Sequence, residues 1–138
     1  MRGLLADENV QGHLPYLFRL LDYLDLWTIL TDVQIGFAVF PQLGLAPGMD
    51  DRPLWKFCQQ DGWVLLTDNR NNDGPDSLEA TLADSWQVGN LPVLTLADKA
   101  RFERDRAYGE RVASEIAEIL FGIREGEYRD SQRIFIPR

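Results

Sequence analysis

The chain has 138 residues, 45% of them hydrophobic, and a formal net charge of -8. That length suits one domain with one continuous core rather than two full domains, and the negative balance excludes a protein that coats nucleic acid through a global positive field. Cys58 is the single cysteine, so no internal disulfide can form and nothing asks for an oxidising compartment. The longest strongly apolar stretch, Ile35 to Phe40, is broken by Gly36 and followed by Pro41, far short of a membrane span. The N-terminus meets Asp7 and Glu8 before a signal-peptide core could be completed. The chain therefore reads as a soluble, cytoplasmic protein with no membrane partner. Residues 1 to 69 carry 4 Lys/Arg against 9 Asp/Glu, and residues 70 to 138 carry 10 against 13. The densest basic group, Arg101, Arg104, Arg106 and Arg111, is interleaved with Glu103, Asp105 and Glu110, the pattern of a solvated face of paired charges.

Leu4-Leu5-Ala6 is a short apolar run that stops at Asp7-Glu8-Asn9, as a buried parallel strand does at the loop edge of a sheet. Leu14, Leu17, Phe18, Leu21 and Leu24 recur at three- and four-residue spacing and predict a helix from about His13 to Leu24. Leu26 to Leu30 and Gln34 to Phe40 both qualify as the second strand. Gln42 to Gly48 is a loop, after which Asp50 or Asp51 caps a helix with Pro53 in its first turn, Leu54, Trp55 and Cys58 toward the core, and Gly62 as its stop. Trp63 to Thr67 is a strand with the same sudden end, at Asp68-Asn69-Arg70. Asn71 to Pro75 is turn material, and Asp76-Ser77-Leu78-Glu79 has the spacing of a capping box for a helix to about Trp86. Pro92 to Leu96 is a further buried strand, Tyr108 to Leu120 a last helix, and Arg133 to Ile136 a closing edge strand. The alternation predicts a single α/β domain over residues 1 to 138, its parallel sheet covered by helices on both faces.

In such a sheet, ligands bind at the carboxyl ends of the strands. Asp7 and Glu8 follow the first strand, Asp51 starts a helix, Asp68 and Asn69 follow the Trp63 strand, and Asp73 and Asp76 lie in the next loop. Crowded carboxylates raise one another's pKa unless a cation neutralises them. An all-oxygen set without His or Cys suits Mg²⁺ or Mn²⁺, and such ions commonly act on phosphate esters. Arg70 would add a bidentate phosphate contact. Each acid also has a plainer role: Asp51 and Asp76 as helix N-caps, Asp73 as a turn residue, Glu8 as a solvent-facing side chain. Asp7 and Asp68 stand out because each directly ends a buried strand.

Other chemistries lack their signals. His13 is the only histidine and reads as a surface or capping residue. No G-x-S-x-G elbow, P-loop or G-x-G-x-x-G run occurs. Cys58, on the apolar face of its helix, reads as core, as do Trp55, Trp63 and Trp86.

Three motifs in order, Leu4-Leu5-Ala6-Asp7-Glu8-Asn9-Val10, Asp51-x-x-Leu54-Trp55-x-x-Cys58 and Gly62-x-Val64-Leu65-Leu66-Thr67-Asp68-Asn69-Arg70-Asn71, resemble a bacterial PIN-like family described as a domain of unknown function with a predicted nuclease role. The likeness covers about residues 3 to 98; residues 99 to 138 lie outside it. It implies a PIN-like three-layer α/β/α sandwich with a mainly parallel sheet of four to five strands, a Mg²⁺ or Mn²⁺ site, and toxin-like ribonuclease activity on RNA or another single-stranded nucleic acid. It further implies a cognate antitoxin protein as a partner and allows a homodimer. Asp7, Asp51 and Asp68 then take the catalytic positions, Asp7, Glu8, Asp51 and Asp68 the metal, and Asn9, Asn69 and Arg70 the substrate. The chain departs from the pattern at Asn69 and Asn71, where many relatives carry acids, which leaves room for an inactive member.

Two rivals stand beside this reading. A phospho-receiver domain also places an acidic pair after its first strand, an aspartate after its third and a lysine after its last, and Asp7, Glu8, Asp68 and Lys99 imitate that set. The long interval from Asp7 to Asp68 counts against it. A metal-free PIN-like binding module would keep the fold and lose catalysis.

Overall fold

The computed structural model describes residues 1–68 and 74–138. Among these, five strands form one sheet: β1 Gly3–Ala6, β2 Gly36–Ala38, β3 Trp63–Thr67, β4 Val93–Leu96 and β5 Arg133–Ile136. The order is β2-β1-β3-β4-β5 and every pairing is parallel. Six helices connect them: α1 Leu14–Tyr23, α2 Trp27–Asp32, α3 Asp51–Asp61, α4 Leu78–Ser85, α5 Lys99–Arg104 and α6 Arg106–Arg124. Short 3₁₀ turns at Gln11–His13 and Phe40–Leu43 complete the described path.

The strands are apolar on both sides because both sides are covered. Leu4 and Ala6 of β1 join Val64, Leu66, Leu94 and Leu96 in a core closed by α1, α2, α5 and α6. Leu5, Leu65 and Val93 point the other way, into a core closed by Leu54, Trp55 and Cys58 of α3 and Leu78 and Leu82 of α4. This period-two division of one strand between two cores makes a three-layer α/β/α sandwich. No described helix is long and apolar enough to cross a membrane.

Gly3 is where β1 depends most on having no side chain. A Cβ there would stand 1.9 Å from the carbonyl oxygen of Gly36, its register partner on β2. Backbone cannot yield that much, so these two strands meet at hydrogen-bonding distance only through glycine.

Several sequence expectations need correction. Of the two candidate second strands, Gly36–Ala38 is the strand and Trp27–Asp32 is a helix. The β-branched content of Thr28-Ile29-Leu30-Thr31 suggested extension, but Leu30 is fully buried against α1 and the Thr31 hydroxyl bonds back to the Trp27 carbonyl, a helical pattern. The first long helix begins at Leu14, one residue after His13, behind a 3₁₀ turn. Ser77, not Asp76, is the N-cap of α4, its Oγ accepting from the Ala80 amide at 3.2 Å. Asp50 stands at the N-cap of α3, its side chain making no capping hydrogen bond among the described residues. The late charge run forms i,i+4 pairs as expected: Arg101 with Asp105, Arg106 with Glu110 and Arg111 with Glu115.

Candidate functional site

In the order 2-1-3-4-5, the chain leaves β1 toward one side for β2 and crosses to the other for β3, so the carboxyl ends of β1 and β3 flank the crevice where such sheets bind ligands. Asp7 follows β1 and Asp68 follows β3, one on each lip. The Asp7 amide extends the β1–β3 ladder by donating to the Leu66 carbonyl at 2.9 Å, which fixes the backbone on which its carboxylate is carried.

Asp7 is only partly exposed, and burial pushes its carboxyl above the usual 3.8. The Thr67 hydroxyl, donating to Asp7 Oδ2 at 2.8 Å, and the Glu8 backbone amide act in the opposite direction. The charges of Asp51 and Asp68 add to the rise. Three carboxylates from the end of β1, the start of α3 and the end of β3 thus share one electrostatic neighbourhood.

Asp51 occupies the first position of α3, yet it caps a different helix. Its Oδ2 accepts the amide of Leu78, the opening residue of α4, at 3.1 Å. The next residue, Arg52, fixes the same junction from the outside. Its guanidinium forks onto both oxygens of Asp84 at 2.7 and 2.9 Å, reaches Asp76 Oδ1 at 3.1 Å and donates to the Pro75 carbonyl at 2.6 Å. That fork holds the Asp84 carboxyl down at about 2. Asp76, expected as a cap or a site acid, belongs to this clamp.

Asp68 is paired with a lysine. Lys99 Nζ stands 2.9 Å from Asp68 Oδ2 and donates to the Asn9 carbonyl at 3.1 Å. Asn9 therefore meets the site through its backbone oxygen. Glu8 turns toward the loop before α3, where Oε1 accepts the Gly48 amide at 2.6 Å. Asn69, Arg70, Asn71 and Asp73 lie outside the described residues. The chain matches no family model, no curated protein and no solved structure.

Among the described residues, no group of three or more His, Cys, Asp or Glu side chains is arranged to hold a metal ion. The donors available at the edge are carboxylate oxygens: Asp7 Oδ2 accepts the Thr67 hydroxyl and Asp51 Oδ2 the Leu78 amide. Mg²⁺ is ordinarily held by one or two carboxylates, with water and substrate oxygens completing its octahedron. Asp68 and Glu8 could join them only by exchanging their present partners.

Two threonines in the floor were not singled out from sequence. Thr67 and Thr95 are register partners on β3 and β4, and both are fully buried. The first holds Asp7. The hydroxyl of the second has no hydrogen-bond partner among the described residues, a condition that costs about 1–3 kcal/mol for a buried polar group. The available signal was a polar residue inside each otherwise apolar run, at Thr67 and at Thr95. Elsewhere Cys58 is confirmed as core: burial pushes its thiol up to about 12.

Proposed function

We propose that the chain is a divalent-cation-dependent phosphodiesterase of ribonuclease type, acting on single-stranded RNA at the β1/β3 edge. The observation that carries the reading is the convergence on Asp7 of the charges of Asp51 and Asp68, from three separate segments, at the crevice where this sheet order binds ligands. Asp7 and Asp51 would hold the cation, with Asp68 and Glu8 able to join. A bound Mg²⁺ or Mn²⁺ would lower the pKa of a water, orient it in line with the scissile phosphate and offset charge on the phosphoryl and leaving oxygens. Thr67 keeps the Asp7 carboxylate in one orientation. Because its burial holds Asp7 toward the protonated form, cation binding is coupled to proton release and strengthens with rising pH. Lys99 offers the neighbouring cationic charge, within reach of a phosphate oxygen once it exchanges Asp68.

The test is cleavage of a single-stranded RNA in Mg²⁺ or Mn²⁺ by wild type, Asp7→Asn and Asp51→Asn. Activity that needs the ion and falls by a factor on the order of 10² or more in both variants supports the reading. Intact RNA with every protein under all conditions rejects it.

The Lys99–Asp68 pair favours one second reading, a phosphoacceptor at Asp68. Five parallel strands in this order also suit that class. Lys99, however, follows β4 and precedes β5, so it does not end the last strand as a receiver's lysine does. Phosphate uptake at Asp68 from a small phosphodonor, lost in Lys99→Met, would favour this reading over hydrolysis.

A further inference from the structure

Thr95 occupies a position where valine would be the simpler choice. Its side chain is fully buried, it lies on the sheet face shared with Leu65 and Val93, and its hydroxyl is without a partner among the described residues. Valine has nearly the same shape and would remove the unsatisfied oxygen, so the hydroxyl is a standing cost to stability.

Its place in the fold suggests what the hydroxyl is for. Thr95 is the register partner of Thr67, one strand over at the same level, and the Thr67 hydroxyl is the donor to Asp7. Asp7, Thr67 and Thr95 therefore run in a row across β1, β3 and β4 at the carboxyl end. The same face is closed by the first turn of α4, where Ser77 and Leu78 are buried and the Leu78 amide is fixed to Asp51. The Asp7 end of that row feels the charge of Asp51.

We infer that Thr95 is a positioning residue whose hydroxyl holds a water molecule at the inner wall of the cation site. A buried water characteristically gathers about three hydrogen bonds from groups otherwise left unsatisfied. Here Thr95 would supply one, from the strand next to the Thr67 hydroxyl that holds Asp7. Such a water would offer an oxygen to a cation held by Asp7 and Asp51, and Thr95 would thereby help to orient what those carboxylates bind. The inference rests on the phosphodiesterase reading and names a residue that reading does not require.

The experiment compares wild type, Thr95→Val and Thr95→Ser by thermal melting in chelator, by Mn²⁺ calorimetry and by single-stranded RNA cleavage across pH. The valine variant is expected to melt at or above the wild-type temperature, bind Mn²⁺ several-fold more weakly and lose roughly tenfold to a hundredfold in kcat with little change in KM. Serine, which restores the oxygen, should recover most of both. A valine variant that binds Mn²⁺ and cleaves like wild type overturns the inference while leaving the metal site standing. A loss of activity that tracks a fall in melting temperature also overturns it, since that marks a packing role. Wild type that neither binds Mn²⁺ nor cleaves RNA removes the reading and the inference together.

Discussion

Lys99 Nζ joins Asp68 Oδ2 at 2.9 Å while donating to the Asn9 carbonyl at 3.1 Å, so one ammonium ties the loop after β1 to the end of β3. It stands where a crowded set of acids most needs positive charge. Asp68 is about one-quarter exposed and Lys99 about one-third, which keeps the pair's own contribution to stability small, about 1 kcal/mol or less. Its larger effect is on what else can bind. On the proposed metal-dependent reading, Lys99→Met would free Asp68 for the cation, and the expected result is Mn²⁺ binding tighter by several-fold in calorimetry, with a melting temperature within a few degrees of wild type. Unchanged affinity would mean that Lys99 and the ion do not compete.

Asp7 carries the cost of the site. Its carboxyl lies above the ordinary 3.8 in the folded protein, so the native state holds more protons than the unfolded chain between that value and the raised one. Stability contributed by Asp7 is therefore greatest in acid and falls as pH rises through this window. Asp7→Asn removes the buried charge and keeps an oxygen for the Thr67 hydroxyl. In chelator at neutral pH the variant is expected to melt a few degrees above wild type, the gap closing as pH is lowered toward 4. A variant less stable than wild type at neutral pH would show that the carboxylate is satisfied as it stands.

Gly3→Ala tests how β1 is held. The added methyl meets the Gly36 backbone at 1.9 Å, so β2 can make room only by breaking its ladder with β1, and β1 only by disturbing the β3 ladder that places Asp7. The expected loss is about 3 kcal/mol or more, the range of severe steric insertions, read as a lowered midpoint in urea. A change under about 1 kcal/mol would show that the edge strand β2 peels away easily.

Cys58 is expected to resist thiol reagents. With its thiol held up at about 12 and almost no exposure, it should react with a disulfide reagent only after denaturation. Rapid labelling of the native protein at neutral pH would place α3 away from the sheet, and Asp51 with it.

The strands were legible because burial on both faces leaves an unmistakable mark: continuous apolar runs such as Trp63 to Thr67, cut off by an acid. The same signal located Asp7 and Asp68. The region from Leu26 to Phe40 was not legible, since a six-residue helix with one buried side chain, Leu30, and a three-residue strand with one, Ala38, leave too little periodicity to separate. What the side chains of the acids do was also hidden. Asp51 looks like the cap of its own helix but binds an amide 27 residues away, Asp76 looks like a cap but meets Arg52, and the position beside it, Ser77, caps α4. Those partnerships are set by how α3 and α4 pack together, which no local spacing encodes. Thr95 was passed over for the same reason, because a threonine in a strand is ordinary until its hydroxyl is found buried and alone among the described residues.

The most direct measurement is a Mn²⁺ titration of wild type and Asp7→Asn by calorimetry, with single-stranded RNA cleavage followed in the same buffers. Wild type is expected to bind the ion and cleave, with binding tightening as pH rises, and both binding and cleavage are expected to vanish in Asp7→Asn, which keeps its fold and in chelator melts a few degrees above wild type. Wild type that binds no Mn²⁺ at millimolar concentration and leaves the RNA intact contradicts the proposed function.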